Sequence, residues 1–263
     1  MAKWIKRLYF SGRLLAILVL LVFALHETKD PFQVRPDLAF QPPSADAWFG
    51  TDRLGRDLFS RTGRALRNTV VDAGFAALLG FLTAFGLALL SVWRGVGTRY
   101  FNAGVDVFSA SLRSIPIFLP AMTFAVLFRN TLYGPIIALY AISLTYSLPV
   151  HRVELRRAYT SPFIEGTVAL GATPGYILAR CIVPDVMPRL FRYALLDFAS
   201  LVAFASLLGV VGLNSPPEPD IGSLVYDGRL YLADRPWLFL APSVILVVFL
   251  MLTWSLTALG REE

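Results

Sequence analysis

The stretch Trp237 to Ala258, WLFLAPSVILVVFLMLTWSLTA, contains no charged residue. A helix needs about 20 apolar residues to cross the hydrocarbon of a bilayer. This run therefore points to a membrane, and four more stretches repeat the signal. Val70 to Trp93 is as long, with Asp72 near its start. Leu190 to Leu213 carries Arg192 at its edge and Asp197 inside. Phe108 to Phe128 holds Arg113, Pro116 and Pro120, and Gly134 to Val150 is shorter, ending beside Pro149. Prolines are admissible in such helices because neighbouring groups satisfy the carbonyls they free. Composition agrees, since only 16% of residues are charged against roughly a quarter in soluble domains.

A sixth candidate, Leu14 to Leu25, reaches spanning length only if Leu8 to Phe10 are included and Arg13 snorkels to the interface. Lys3, Lys6 and Arg7 precede it and Val22-Phe23-Ala24 closes it, which also fits a cleavable signal peptide. An uncleaved first helix is the expectation. The chain is thus expected to be an all-α integral membrane protein with six transmembrane helices. Residues 1–69 would hold the amino-terminal helix and a polar loop, and residues 70–263 a core of five helices.

The formal charge of +6 does not call for nucleic acid. No basic run is interleaved with aromatics, and arginines at the ends of apolar segments orient a chain in the membrane. Cys181 is the only cysteine, so no intrachain disulfide forms, and it reads as a small apolar residue. There is no G-x-x-x-x-G-K-[ST] phosphate loop. The two histidines, His26 and His151, are far apart and form no H-E-x-x-H pair, and no serine sits in a G-x-S-x-G turn. Neither a catalytic residue nor a metal ligand nor a bound cofactor is expected, which sets a membrane enzyme aside.

Two polar loops are long, His26 to Thr69 and Asn214 to Pro236. A third polar segment, His151 to Arg189, is the informative one. Ser161-Pro162 pairs an N-cap residue with a proline at the first helical position, and Thr173-Pro174 repeats the pairing. Gly171 between them is free to take a positive φ. The spacing predicts a short helix from Pro162 to Leu170, a glycine corner, and a second helix from Pro174 that meets the membrane near Pro184. About nine helical residues make a stub of roughly 13 Å, suited to a groove on another protein.

Glu165, then Gly171, then Ile182-Val183-Pro184 resembles the EAA loop of ATP-binding-cassette importer permeases, with Gly166 and Thr167 where that family has two alanines. The segment Gly50-Thr51-Asp52-Arg53-Leu54-Gly55-Arg56-Asp57-Leu58-Phe59-Ser60-Arg61 resembles the GTD-x-x-GRD-x-x-SR signature of one permease of dipeptide, oligopeptide and nickel importers. Arg67 and Thr69 continue it. The run Leu208 to Pro219, with Gly222, Asp227 to Leu232 and Pro236-Trp237, resembles the loop after that subunit's fifth span.

The resemblance implies a permease subunit translocating a di- or oligopeptide, nickel or a metal chelate delivered by an extracytoplasmic binding protein. It implies pairing with a second homologous permease and two ATPase subunits that bind ATP and Mg and dock on the loop at about 151–189. Pro162, Glu165, Gly166, Gly171, Pro174, Ile182 and Pro184 would form that coupling loop. Gly50, Thr51, Asp52, Gly55, Arg56, Asp57, Ser60 and Arg61 would lie outside, and both termini would be cytoplasmic in a bacterial plasma membrane. The alternative is a secondary carrier or channel without ATP coupling.

Asp52 and Arg56, and Asp57 and Arg61, stand at the i to i+4 spacing of helix ion pairs, so the signature is expected to fix its loop over the core, the alternative being contact with the binding protein. Asp197 lies deep in a predicted span and shares a helix face with Tyr193 and Ser200. It is a candidate lining residue for a cationic cargo; the alternatives are an ion pair with an arginine of the elbow and a protonated acid hydrogen-bonded in the bundle.

Overall fold

The structure, a computed structural model, describes residues 16–20, 22–26, 28–93, 99–128, 131, 133–213 and 218–258. Among them the chain is helical without a strand; one isolated bridge joins Thr51 and Asp57. In chain order the elements are α1 (Ala16–Leu25), a 3-10 turn (Pro36–Leu38), α2 (Leu58–Val92), α3 (Arg99–Ser114), α4 (Phe118–Leu127), α5 (Gly134–Tyr159), α6 (Pro162–Ala169) and α7 (Pro174–Tyr176). A π-helical segment (Ile177–Ile182) leads into α8 (Val183–Val210), followed by α9 (Ile221–Gly228), a 3-10 turn (Arg229–Tyr231) and α10 (Trp237–Ala258).

Four helical stretches are long and apolar enough to cross a membrane: Leu58–Val92, Gly134–Tyr159, Pro174–Val210 and Trp237–Ser255. The pair α3 and α4 makes a fifth, bent by 88°. The expected single span from Phe108 to Phe128 is therefore broken. Pro116 lacks an N–H and disfavours a helical residue before it, and α3 stops at Ser114 accordingly. A sixth span, Leu14 to Leu25 with its extension, falls partly outside the described residues.

The other spans overrun their apolar windows. Helix α2 begins at Leu58, not Val70, because Asp57 caps it by accepting the Ser60 N–H. Helix α5 runs past Pro149 to Tyr159 instead of stopping at Val150. Just beyond that proline, His151 Nδ1 lies 2.6 Å from the Ser147 carbonyl. The second elbow helix does not end where the membrane begins; it continues through the π segment into α8 as one 37-residue stretch. Inside the expected loop from Asn214 to Pro236, α9 folds back on a capping box between Asp220 and Ser223.

Small residues set the packing. On α2, Ala73, Ala76, Ala77, Gly80, Ala84 and Ala88 are buried, while Val71, Phe75, Leu78, Leu79 and Leu82 stay exposed. That division is expected of a helix that meets its neighbours on a small-residue face and turns bulk to lipid. A Cβ at Gly80 would stand 2.6 Å from Ser143 Cβ, so α2 and α5 cross closely there. One core joins α2, α4, α5, α8, α9 and α10 through Leu66, Ala121, Leu139, Leu201, Ile221 and Phe249. A second, around Ala88, Val92, Leu155, Ile164, Ile177, Ile182 and Leu190, closes the far end of α2.

Candidate functional site

The far end carries the elbow. Pro162 opens α6 with Ser161 in the N-cap position, but the Ser161 side chain makes no capping bond. The Glu165 N–H is instead satisfied by the Ser161 carbonyl at 3.2 Å. At the other end Gly171 has φ +84°. Its N–H donates to Val168 O at 3.0 Å and the Ala172 N–H to Thr167 O at 3.3 Å, the two reversed bonds of a Schellman turn. The Thr173 hydroxyl then accepts the Tyr176 N–H and α7 begins at Pro174.

One apolar side chain of α6, Ile164, is buried in the second core, whereas Phe163 is 69%, Leu170 90% and Tyr176 56% exposed. Glu165 and Gly166 also face outward, and a Cβ at Gly166 or Gly171 would meet nothing within 4 Å. Ile182 anchors the π segment in the core and Pro184 lies in the first turn of α8. The residues expected to form a coupling loop are thus brought together as a stub held from behind and bare in front.

Ion pairs that sequence reasoning passed over tie this end together. Buried Glu154 on α5 accepts from Arg189 of α8 at 2.9 Å and lies 3.7 Å from Arg157. Arg189 also bridges to Asp185 at 2.7 Å, and Arg152 of α5 reaches Asp106 of α3 at 2.5 Å. The pairing of Arg189 with Asp185 was legible as an i, i+4 pair. Those between helices were not, because they depend on which helices neighbour one another.

The opposite end holds the signature, folded as a knot of turns ahead of α2. The expected pair of helix ion pairs is half right. Asp52 does bind Arg56, at 2.7 Å, but in a turn, and its Oδ1 accepts the Leu54 and Arg56 N–H groups at 2.9 and 3.0 Å. Asp57 does not pair with Arg61. It takes the Ser60 N–H and hydroxyl at 2.9 and 2.8 Å, and Arg61 reaches Asp52 at 3.4 Å and the Pro31 carbonyl at 3.2 Å. The cap wins because Asp57 precedes the first free N–H groups of α2, where a carboxylate is favoured by both hydrogen bonding and the helix dipole.

Thr51 and Gln41 exchange two bonds, at 2.8 and 3.0 Å. Gly50 (φ +74°) and Gly55 (φ +71°) turn the chain where a side chain would run into Gln41 and Arg35 carbonyls. Phe40, also at positive φ (59°), is held by its N–H to Asp52 O at 3.0 Å and by the Tyr231 ring, 5.0 Å away. Beneath the knot, Glu218 accepts from Arg64 and Asn68 of α2 at 3.1 Å each, and the Ile221 N–H donates to Thr69 at 3.2 Å.

Residues 76–260 match the family described as the binding-protein-dependent transport system inner membrane component. The chain belongs to that family. It is a multi-pass inner-membrane permease subunit of an ATP-driven importer, and its partners include an ATPase and a binding protein. The permease is 28% identical to the dipeptide transport system permease protein DppC of Alkalihalophilus pseudofirmus, over 89% of this chain and 77% of the relative. It is 27% identical to the probable D,D-dipeptide transport system permease protein DdpC of Escherichia coli, over 84% and 74%. In fold it resembles the inward-facing MetNI methionine ABC transporter, with a TM-score of 0.60 and 22% identity over 76% of this chain and 94% of that one.

Midway along the permease, Asp197 of α8 accepts the Ser143 hydroxyl of α5 at 2.5 Å and the Ser147 hydroxyl at 3.3 Å. Ser200 lines the same cavity, its hydroxyl bonded to Leu196 O at 2.9 Å. Among the described residues the hydrogen-bond partners of Asp197 are these two serines and not an arginine of the elbow. The serines share the run Ser143-Leu144-Thr145-Tyr146-Ser147 with two further hydroxyls, and nothing in the spacing distinguishes them from serines that bond their own helix.

Proposed function

We propose that this permease imports di- or oligopeptides, that it pairs with a second homologous permease, and that two ATPase subunits binding and splitting Mg-ATP seat on the α6–α7 elbow. The observation that carries the reading is the elbow itself. Its Schellman corner at Gly171 points α6 away from the bundle with Phe163, Leu170 and Tyr176 uncovered, a fit for an apolar groove on a partner. Exposed apolar side chains clustered on a projecting element mark an interaction site, and Arg157 and Glu165, exposed on the same segment, suit a protein partner. Relatives named for dipeptide and peptide transport support peptides as the cargo over nickel or a metal chelate.

In this reading the elbow end faces the cytoplasm together with both termini, and the signature end faces the binding protein. The signature residues hold the mouth of the permease in shape, since most of their polar groups are spent on one another and on α2. Closure of the ATPase pair pushes α6; the Glu154–Arg189 pair and the buried Ile164 pass the displacement to α5 and α8, tilting the helices that line the path.

Gly171→Asp tests the elbow. Aspartate tolerates positive φ better than most residues, and the site has room for a side chain, so the permease should insert at normal abundance. Co-purification of the ATPase and uptake of the dipeptide Ala-Ala should both fall at least about tenfold, as loss of a contact worth a few kcal/mol requires. Normal uptake at normal abundance refutes the coupling role. Glu165→Ala, at the solvated edge, should cost less than about threefold.

A further inference from the structure

The cavity between α5 and α8 has an inventory that the importer reading leaves unused. It holds ≈ 260 Å³ and its walls include Tyr146, Val150, Tyr193, Asp197, Ser200 and Phe204. Asp197 lies near the middle of α8, seven residues or about 10 Å into the apolar stretch from Leu190 to Leu213, hence within the hydrocarbon. The buried and half-buried acids described above at the two ends of the bundle have cationic partners or cap a helix, among them Glu154 and Asp185 with Arg189, Asp106 with Arg152, Asp52 with Arg56, and Glu218 with Arg64. Asp197 differs. Among the described residues its hydrogen-bond partners are the Ser143 and Ser147 hydroxyls, both on Oδ2, and no lysine or arginine pairs with it.

An ionisable group at this depth is costly unless it serves a partner or a path. The serines orient the carboxylate without neutralising it, and Asp197 lines a cavity shared with the Tyr146, Tyr193 and Phe204 rings and His151. A carboxylate flanked by aromatic faces is the chemistry that recognises an ammonium group, through charge and through the ring quadrupoles. The volume falls just short of the 300 Å³ or so at which whole-ligand pockets begin, which suits one end of a dipeptide. Tyr146 and Tyr193 are 49% and 43% exposed, so the cavity opens on a face where a second permease would supply the rest.

Building on the peptide-import reading, we infer that this cavity receives the cargo's α-ammonium group within the membrane, with Asp197 as counter-ion, Ser143 and Ser147 as its positioning residues, and Tyr146 and Tyr193 as the flanking rings. The carboxy-terminal part of the peptide then lies toward the partner subunit.

The test uses the assembled importer in lipid vesicles, with Cys181→Ser removing the one native cysteine and Ser200→Cys placing a thiol in the cavity. Methanethiosulfonate reagents bearing an ammonium or a sulfonate are compared, with rates normalised to those for free cysteine. With Asp197 intact the cationic reagent should be favoured about tenfold, as one uncompensated charge in a half-buried site implies. Asp197→Glu should keep most of that preference and Asp197→Asn should bring the ratio close to one. Ala-Ala should slow labelling, and N-acetyl-Ala-Ala, which lacks the ammonium, should not. An unchanged ratio in Asp197→Asn, equal protection by the two peptides, or no labelling by either reagent overturns the site. ATP-dependent uptake of Ala-Ala by the unaltered importer is measured alongside. Absent uptake with charge-selective labelling sinks peptide import and leaves the ammonium site standing; uptake with unselective labelling does the reverse.

Discussion

Gly55 and Gly171 share a positive φ, +71° and +84°, yet substitution should affect them differently. At Gly55 a Cβ runs into the Arg35 carbonyl, so Gly55→Ala must displace backbone and should destabilise by more than about 2 kcal/mol. Gly171→Ala meets only the backbone penalty, about 1–2 kcal/mol. Thermal unfolding in detergent should place Gly55→Ala clearly below Gly171→Ala; the reverse order contradicts the clash. Glu218 offers a pH test in the loop between α8 and α9. The hydrogen bond from Arg64 holds its carboxyl below the usual 4.5, against burial that pushes it up. A depressed carboxyl stabilises above its unfolded pKa and loses that contribution as pH falls through the folded one. Glu218→Gln should therefore lower the melting temperature by about 1–3 °C at pH 7, the scale of a half-exposed ion pair. The gap should close as pH drops well below 4.5; a gap that persists there contradicts the ion-pair account. Of these residues, Gly171 was legible, because a glycine between two Ser/Thr-Pro starts has few other uses. The partners of Arg61 and Glu218 were not, since i, i+4 spacing names a pair only if a helix is present and sequence separation hides Arg64 from Glu218.

Helix ends were read less well than helices, and one cause covers most of the differences. An apolar window reports which residues sit in hydrocarbon, whereas a helix continues as long as its backbone bonds do. Helix α2 is 35 residues long and outruns the membrane at its capped start, and α5 outruns it past Pro149. The break between α3 and α4 shows the opposite case, an apolar window too permissive to notice Pro116. At the contact of α2 with α5 the small-residue face yields a test. Gly80→Ala should destabilise by about 1–3 kcal/mol through overpacking, because its Cβ falls 2.6 Å from Ser143 Cβ. Adding Ser143→Gly should recover part of the loss in unfolding assays. Additive losses would show that the two helices do not meet there.

The signature knot and the elbow stand at opposite ends of α2, which at 1.5 Å per residue is about 50 Å long, more than the roughly 30 Å of hydrocarbon. With Cys181→Ser as background, Gln41→Cys and Phe163→Cys should be labelled by a membrane-impermeant maleimide from opposite faces of oriented vesicles. Labelling of both from one face would exclude this arrangement. The sequence by itself determined that the chain lives in a bilayer and that its elbow is two helix starts around a glycine; three spaced patches identified the permease type by resemblance. Those features are local: hydrophobic run length, capping residues and backbone freedom act within a few residues of where they are written. Only the tertiary structure decided that Asp57 caps α2 instead of binding Arg61, that Glu154 is locked by Arg189, and that Asp197 faces two serines and a cavity rather than an arginine. The last two are choices between partners far apart in the chain, settled by which helices cross; the first turns on where α2 begins, which the i, i+4 spacing of Asp57 and Arg61 does not reveal.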